Sequence, residues 1–191
     1  MASNISCRNC KTKRVKKVFD LGKLYFTGKF PSSTKDKLGK GTLGLSFCNN
    51  CKLVQLNNSY DSNYLFSKDY GYKTGINSTM KNHMKDVKNV LLKKIKLKNK
   101  DYILDIASND GTLLHSYKTK NIRLVGIDPT IKKLGKFYSK KIKKKEELFN
   151  KKTFFKLSKN KKAKVVTSIA MFYDLQDPNE FVSDIKDILT N

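Results

Sequence analysis

The stretch YILDIASNDGTLL, residues 102–114, constrains the fold more than any other part of the chain. The run YILDI is almost wholly apolar, the turn after it is small and polar, and GTLLHSYKT reads as a short helix. IRLVGI at 122–127 and AKVVTSIAMFYDL from 163 repeat the apolar run. Runs without polar alternation mark strands covered on both faces, as in parallel sheets flanked by helices. The expected class is therefore α/β, with strand and helix alternating over 101–191. FYSKKIKKKEELF, residues 137–149, carries too many lysines for a buried element and is expected as a solvated helix or loop. DPNEFVSDIKDILTN is expected as a helix capped by Asp177, with Pro178 at its first position and Phe181, Ile185, Ile188 and Leu189 on one face. Three strands are few for a doubly wound sheet, and no strand follows the last helix. The sheet is thus expected to be incomplete at its C-terminal side, and the chain to be the N-terminal portion of a longer one.

Residues 1–75 read differently. They are expected to form a small lobe of short strands, KVFDLGKLYFTGKFP and LSFCNNCKLVQL, broken by turns at Gly22, Gly28, Pro31 and Gly39 to Gly41. All four cysteines lie here, as Cys7-x2-Cys10 and Cys48-x2-Cys51. Two residues between thiolates let both reach one tetrahedral ion, and a second pair completes a closed four-thiolate shell. The expected metal is structural zinc, with redox pairs or disulfides as the other readings of the same spacing. His83 and His115 have no partner at ligand spacing. Residues 76–100 are expected as a linker helix. Met80, Met84, Val87, Leu91 and Ile95 form its apolar stripe, and Asn77 or Ser78 its cap.

The chain has 191 residues, with 41 Lys and Arg against 16 Asp and Glu, a net charge of +25. Such a balance can mark a nucleic-acid or acidic-membrane partner. Arginine, whose fork reads phosphates and bases, stands only at 8, 14 and 123. A lysine- and asparagine-rich compositional bias is the favoured explanation, and nucleic acid is not the expected partner. No window is long and apolar enough to span a bilayer, and MASNISCRNC has no apolar signal core. The expected location is the cytoplasm, where thiols stay reduced.

The turn after the first buried strand offers Asp105, Ala107, Ser108, Asn109, Asp110 and Gly111. A dinucleotide fold needs several glycines there, so that the backbone can approach a pyrophosphate. This turn has one glycine, and Asp110 would repel a phosphate. A ligand with an amine and a sulfonium charge would be attracted, and S-adenosylmethionine fits. Asp128, at the tip of the next strand in LVGIDPT, is placed to accept ribose hydroxyls. Helix capping and turn chemistry are the alternative roles for Asp105 and Asp110.

The ordered set CRNC, LYFTGKFP, FCNNCKLVQL, DYGYKTGINSTMKNHM, ILDIASNDGTLL, LVGIDPT and AKVVTSIAMFYDLQDPNEFVSDI resembles the sugar C-methyltransferases that carry an N-terminal zinc-binding domain. The resemblance runs over nearly the whole chain. It implies a class I methyltransferase, Rossmann-like fold behind a zinc lobe, acting on nucleotide-linked keto-deoxysugars. It implies further that SIAMFY, with Ser168 and Met171, sits by the adenine and the reacting methyl. Tyr70 and Tyr72 of DYGYKTG would belong to a lid, with aromatic packing as their other reading. Members of that family are about twice as long. The residues thought to act on the sugar lie beyond the last residue of this chain. The catalytic base is not identified, and Tyr72 and Tyr173 are the catalytic candidates. A zinc-ribbon nucleic-acid binder and a non-catalytic S-adenosylmethionine module are the alternative functions.

Overall fold

The computed structural model describes residues 5–66, 70–118 and 121–190. The chain divides into two compact units. One runs to Gly71 and takes in Ala170–Ser183; the other comprises Tyr72–Ile169 and the residues from Asp184.

The described residues of the first unit form a three-stranded antiparallel sheet of β1 (Val15–Tyr25), β2 (Lys40–Cys48) and β3 (Val54–Leu56), in that order. The sequence led us to expect a break at Gly22. The strand instead continues to Tyr25, and the pairing slips between Asp20 and Lys23. The Asp20 carboxylate accepts the Gly22 N–H at 2.7 Å, which holds the kink inside the strand. The turn expected over Gly39 to Gly41 likewise runs into β2, which begins at Lys40. Phe26 packs edge-on against Tyr60 and Tyr64, with ring centroids 4.9 and 5.7 Å apart. A one-turn helix, α1 (Ser62–Leu65), is capped by Asp61.

In the second unit α2 (Ser78–Lys94) begins at Asn77, whose side chain accepts the Met80 N–H at 2.8 Å. Its expected stripe does pack inward: Met84 is buried, and Met80, Val87, Leu91 and Ile95 lie against the core. The sheet has strand order β6-β5-β4-β7, all parallel, from β4 (Tyr102–Ile106), β5 (Arg123–Ile127), β6 (Ile142–Lys145) and β7 (Ala163–Ser168). Every residue of β4 is buried, as its unbroken apolar run requires. Ile103 and Val165 join Met84 of α2 and Leu113 and Leu114 of α3 (Thr112–Ser116) in one cluster. The alternate strand positions face the other way, where Tyr102 meets Phe154 of α5 (Lys151–Ser158).

Two elements depart from expectation. The lysine-rich stretch 137–149 holds the edge strand β6, of which only Ile142 is buried. An edge strand is held by backbone pairing with one neighbour, so its side chains need not form an apolar run. Helix α5 follows; it was not foreseen. Beyond β5 lies the short helix α4 (Ile131–Leu134). The last helix, α6 (Pro178–Ile188), starts as expected, with Asp177 Oδ1 accepting the N–H groups of Asn179 and Glu180 at 3.0 and 3.1 Å. No helix of the described residues is long and apolar enough to cross a membrane.

Candidate functional site

Each cysteine pair sits on the same kind of loop. Cys7 donates its N–H to Thr12 O at 2.9 Å and Cys48 donates to Leu53 O at 2.8 Å. Lys11 and Lys52 return hydrogen bonds to Cys7 O and Cys48 O, and both have left-handed backbones, with φ of 58° and 65°. The two knuckles point their sulfurs at one another, and all four Sγ atoms lie within 4.8 Å. The Cys7–Cys51 and Cys10–Cys48 sulfurs are 3.5 and 3.6 Å apart. A disulfide needs about 2.05 Å, whereas thiolates around a tetrahedral zinc stand about 3.8 Å apart. The donor set therefore fits zinc in a closed shell, with no position for a water. Burial pushes the Cys7 thiol up to about 11, and the Asn50 side chain helps pull Cys10 down to about 6. A cation would have to displace the Cys7 proton.

Arg8, inside the first knuckle, extends that role. Its guanidinium donates to Tyr173 O and Leu175 O at 3.2 and 3.0 Å, and to Leu56 O and Asn58 O at 3.3 and 3.1 Å. The metal knuckle thus anchors the loop carrying Tyr173 within the first unit. Sequence reasoning missed this, because the bonds go to backbone carbonyls far along the chain.

In the second unit, β4 lies between β5 and β7, so the chain leaves β4 to one side and later returns to the other. The crevice at the C-terminal ends of such strands is where α/β sheets hold ligands. Three strands contribute to it: β4 with the turn to Gly111, β5 with Asp128, and β7 with Ser168. In the turn Ala107, Asn109 and Gly111 all have left-handed backbones, with φ of 56°, 51° and 76°. For Ala107 and Asn109 this costs energy that the surrounding hydrogen bonds must offset. Asn109 donates its N–H to Asp128 Oδ2 at 2.8 Å and accepts from Thr74 N at 2.9 Å through Oδ1. Asp128 Oδ1 accepts from Thr130 N and Oγ1, both at 2.6 Å.

Asp110 is held from both sides. Its Oδ1 accepts from Thr112 N and Oγ1 at 3.1 and 2.6 Å, and its Oδ2 accepts from Gly75 N at 2.9 Å. A Cβ on Gly75 would stand 2.6 Å from Thr112 Oγ1 and 2.7 Å from Asp110 Oδ2, so a side chain there would push these oxygens out of place. The first free N–H of α3 is thus covered by a carboxylate, at the place a pyrophosphate takes in a dinucleotide fold. Asp105, near the end of β4, accepts from Thr167 Oγ1 at 2.7 Å. Burial pushes its carboxyl up to about 7, with the Thr167 hydrogen bond opposing and Asp128 adding. Burial also raises Asp128, against its three hydrogen bonds. The Ser168 hydroxyl is sealed from solvent and meets no hydrogen-bond partner among the described residues.

Asp105, Ala107, Ser108, Asn109, Asp110, Gly111, Asp128, Ser168 and Tyr72 belong to the second unit, and Tyr70, Met171 and Tyr173 to the first. Tyr72 is exposed and its carbonyl accepts from Asn109 Nδ2 at 3.2 Å; Tyr173 is exposed as well. Tyr70 bridges to Lys29 and packs edge-on against Phe66. Sequence reasoning missed Tyr138, which lies in the lysine-rich stretch. It is buried, its hydroxyl pairs with Ser108 Oγ at 2.8 Å, and it donates to Asn109 O at 3.0 Å. Thr130 was foreseeable, since Asp-Pro-Thr is a turn in which the aspartate accepts from the residue two positions on. Thr167 was not, because its bond to Asp105 depends on the register of β7 against β4.

The Methyltransf_13 family, described as "Putative zinc binding domain", matches residues 7–66. No curated protein matches the chain. Among solved structures the chain is similar to the plantazolicin methyltransferase BpumL in complex with a pentazolic desmethylPZN analog and SAH, at 20% identity and TM-score 0.48, over 61% of this chain and 45% of that one. A second BpumL complex, with a triazolic analog and SAH, matches at 22% identity and TM-score 0.46, over 57% and 42%. YjhP from E. coli matches at 14% identity and TM-score 0.39, over 56% and 44%. The chain spans less than half the length of each of these proteins.

Proposed function

We propose that the second unit is the cofactor-binding part of an S-adenosylmethionine-dependent methyltransferase, and that the first unit is a lobe held by structural zinc. The observation that carries this reading is Asp110 over the N-terminus of α3. It supports a ligand that tolerates carboxylates and lacks a diphosphate. S-adenosylmethionine would supply an electrophilic methyl group there. The second unit's own residues would bind and orient: the turn Asp105 to Gly111 the methionine end, Asp128 the ribose, and Ser168 the adenine side. Three of the roughly four acceptor sites on Asp128 are already used, which leaves one for a hydroxyl. The unpartnered Ser168 hydroxyl, at the same end of the sheet, supports a polar ligand group there.

For the substrate, the resemblance favours the carbon beside a ketone on a nucleotide-linked deoxysugar. Methylation at such a carbon requires removal of its proton before the methyl can be accepted. Tyr72 is the candidate in the second unit to touch that substrate. Calorimetry with S-adenosylhomocysteine tests the cofactor assignment: the full chain should bind it, and Asp128→Ala should weaken binding tenfold or more. Absence of heat with the unaltered chain sinks the proposal.

A further inference from the structure

A second concavity lies beside the turn, between α2 and α3, and we infer that it binds a small ligand bearing a di- or triphosphate group. The cleft holds about 590 Å³, within the usual range for small-ligand pockets. Lys81, Lys85 and Lys88 of α2 line one wall, and Lys73 and Lys118 also face it. The three α2 lysines stand at i, i+4 and i+7, so the helix presents them as a single stripe. Asp110 is the one carboxylate in the lining, and its oxygens are taken by Gly75 and Thr112. Among the described residues none of these five lysines makes an ion pair, whereas Lys11, Lys17 and Lys151 elsewhere do. Lys85 donates to the neutral Asn82 side chain at 3.3 Å, and Lys73 lies over the Phe137 ring at 3.5 Å.

The excess of lysine across this chain does not by itself select this place; the concavity that gathers five of them does. Like charges one helical turn apart repel, and a bound polyanion removes that repulsion. Charges of one sign on the walls of a cleft focus the field, which raises the local concentration of an anion. Lysines act on phosphates as point charges, so several around one cavity suit a multiply charged phosphate chain better than a single carboxylate. A single-stranded nucleic acid would need a succession of aromatic platforms, whereas the lining offers Phe137 and the smaller ring of His115. The cleft shares Asp110 with the methyl-transfer site, and the two readings are compatible because the phosphates would lie on the lysines of α2 while Asp110, held by Gly75 and Thr112, bars them from the N-terminus of α3.

The test is calorimetry of the full chain with tripolyphosphate and with ADP at about 50 mM salt, where surface charges are weakly screened. One site per chain is expected. K81Q/K85Q/K88Q should weaken binding tenfold or more. K140Q/K161Q/K162Q, which removes the same charge from exposed positions outside the cleft, should change it less than twofold. Lys85→Glu alone should also weaken it, should the triple variant fold poorly. Absence of binding, equal losses in the two triple variants, or cleft-dependent binding of an oligonucleotide without binding of tripolyphosphate would each overturn the inference. A parallel titration with S-adenosylhomocysteine reports separately on the cofactor site.

Discussion

Asn109 donates its backbone N–H to Asp128 Oδ2 at 2.8 Å, and this bond joins the turn after β4 to the end of β5. The acid that should hold a ribose therefore also fixes the backbone of the loop that should hold the methionine. Substitution there must affect fold and ligand together. Asp128→Ala strands two buried N–H groups, those of Asn109 and Thr130, and should cost about 2 kcal/mol or more. Asp128→Asn keeps an acceptor and should cost less. Urea denaturation of the three proteins gives the ordering.

Asp105 makes stability depend on pH. Its folded-state carboxyl is raised to about 7, so between about pH 4 and pH 7 the folded chain holds a proton that the unfolded chain has lost. Its contribution is complete below about pH 4 and is lost as pH rises through 7, by about a few kcal/mol. Asp105→Asn should abolish this slope and raise the urea midpoint at pH 8. A midpoint that falls on substitution at pH 8 would show that the ionised carboxylate is stabilising.

The cysteine shell should carry about one zinc per chain by elemental analysis. Chelation, or Cys48→Ser, should unfold the first unit, because a closed thiolate shell loses its geometry with one ligand. Acid should release the metal, since protons compete for the thiolates. Undiminished thermal stability in a metal-free preparation would contradict this.

Gly75→Ala tests the clasp on Asp110. A methyl group 2.6 Å from Thr112 Oγ1 must push the Asp110 side chain or the 74–76 segment aside. Overpacking of this kind costs about 1–3 kcal/mol. Weaker binding of S-adenosylhomocysteine should accompany the loss, read by calorimetry.

Much of the site was legible because it depends on local sequence. The apolar runs around Ile103 and Val125 give buried strands, and Asn77 and Asp177 announce helix starts. The cysteine pairs declare their own partnership by spacing. What stayed hidden depends on long-range register or on backbone pairing. Strand β6 has three exposed lysines and is held by its hydrogen bonds to β5. Tyr138 reaches Ser108 across 30 positions, and Arg8 reaches Leu175 across 167, with no periodicity to mark either. Gly75 carries no mark in the sequence, because Asp110, to which its N–H donates, lies 35 positions further on.

A crystal grown with S-adenosylhomocysteine tests the central claim most directly. The ligand should lie over the turn from Ala107 to Gly111, with one ribose hydroxyl on Asp128 and its amino end near Asp105 or Asp110. A vacant crevice, or one filled by a phosphate group in contact with the N-terminus of α3, would contradict the assignment.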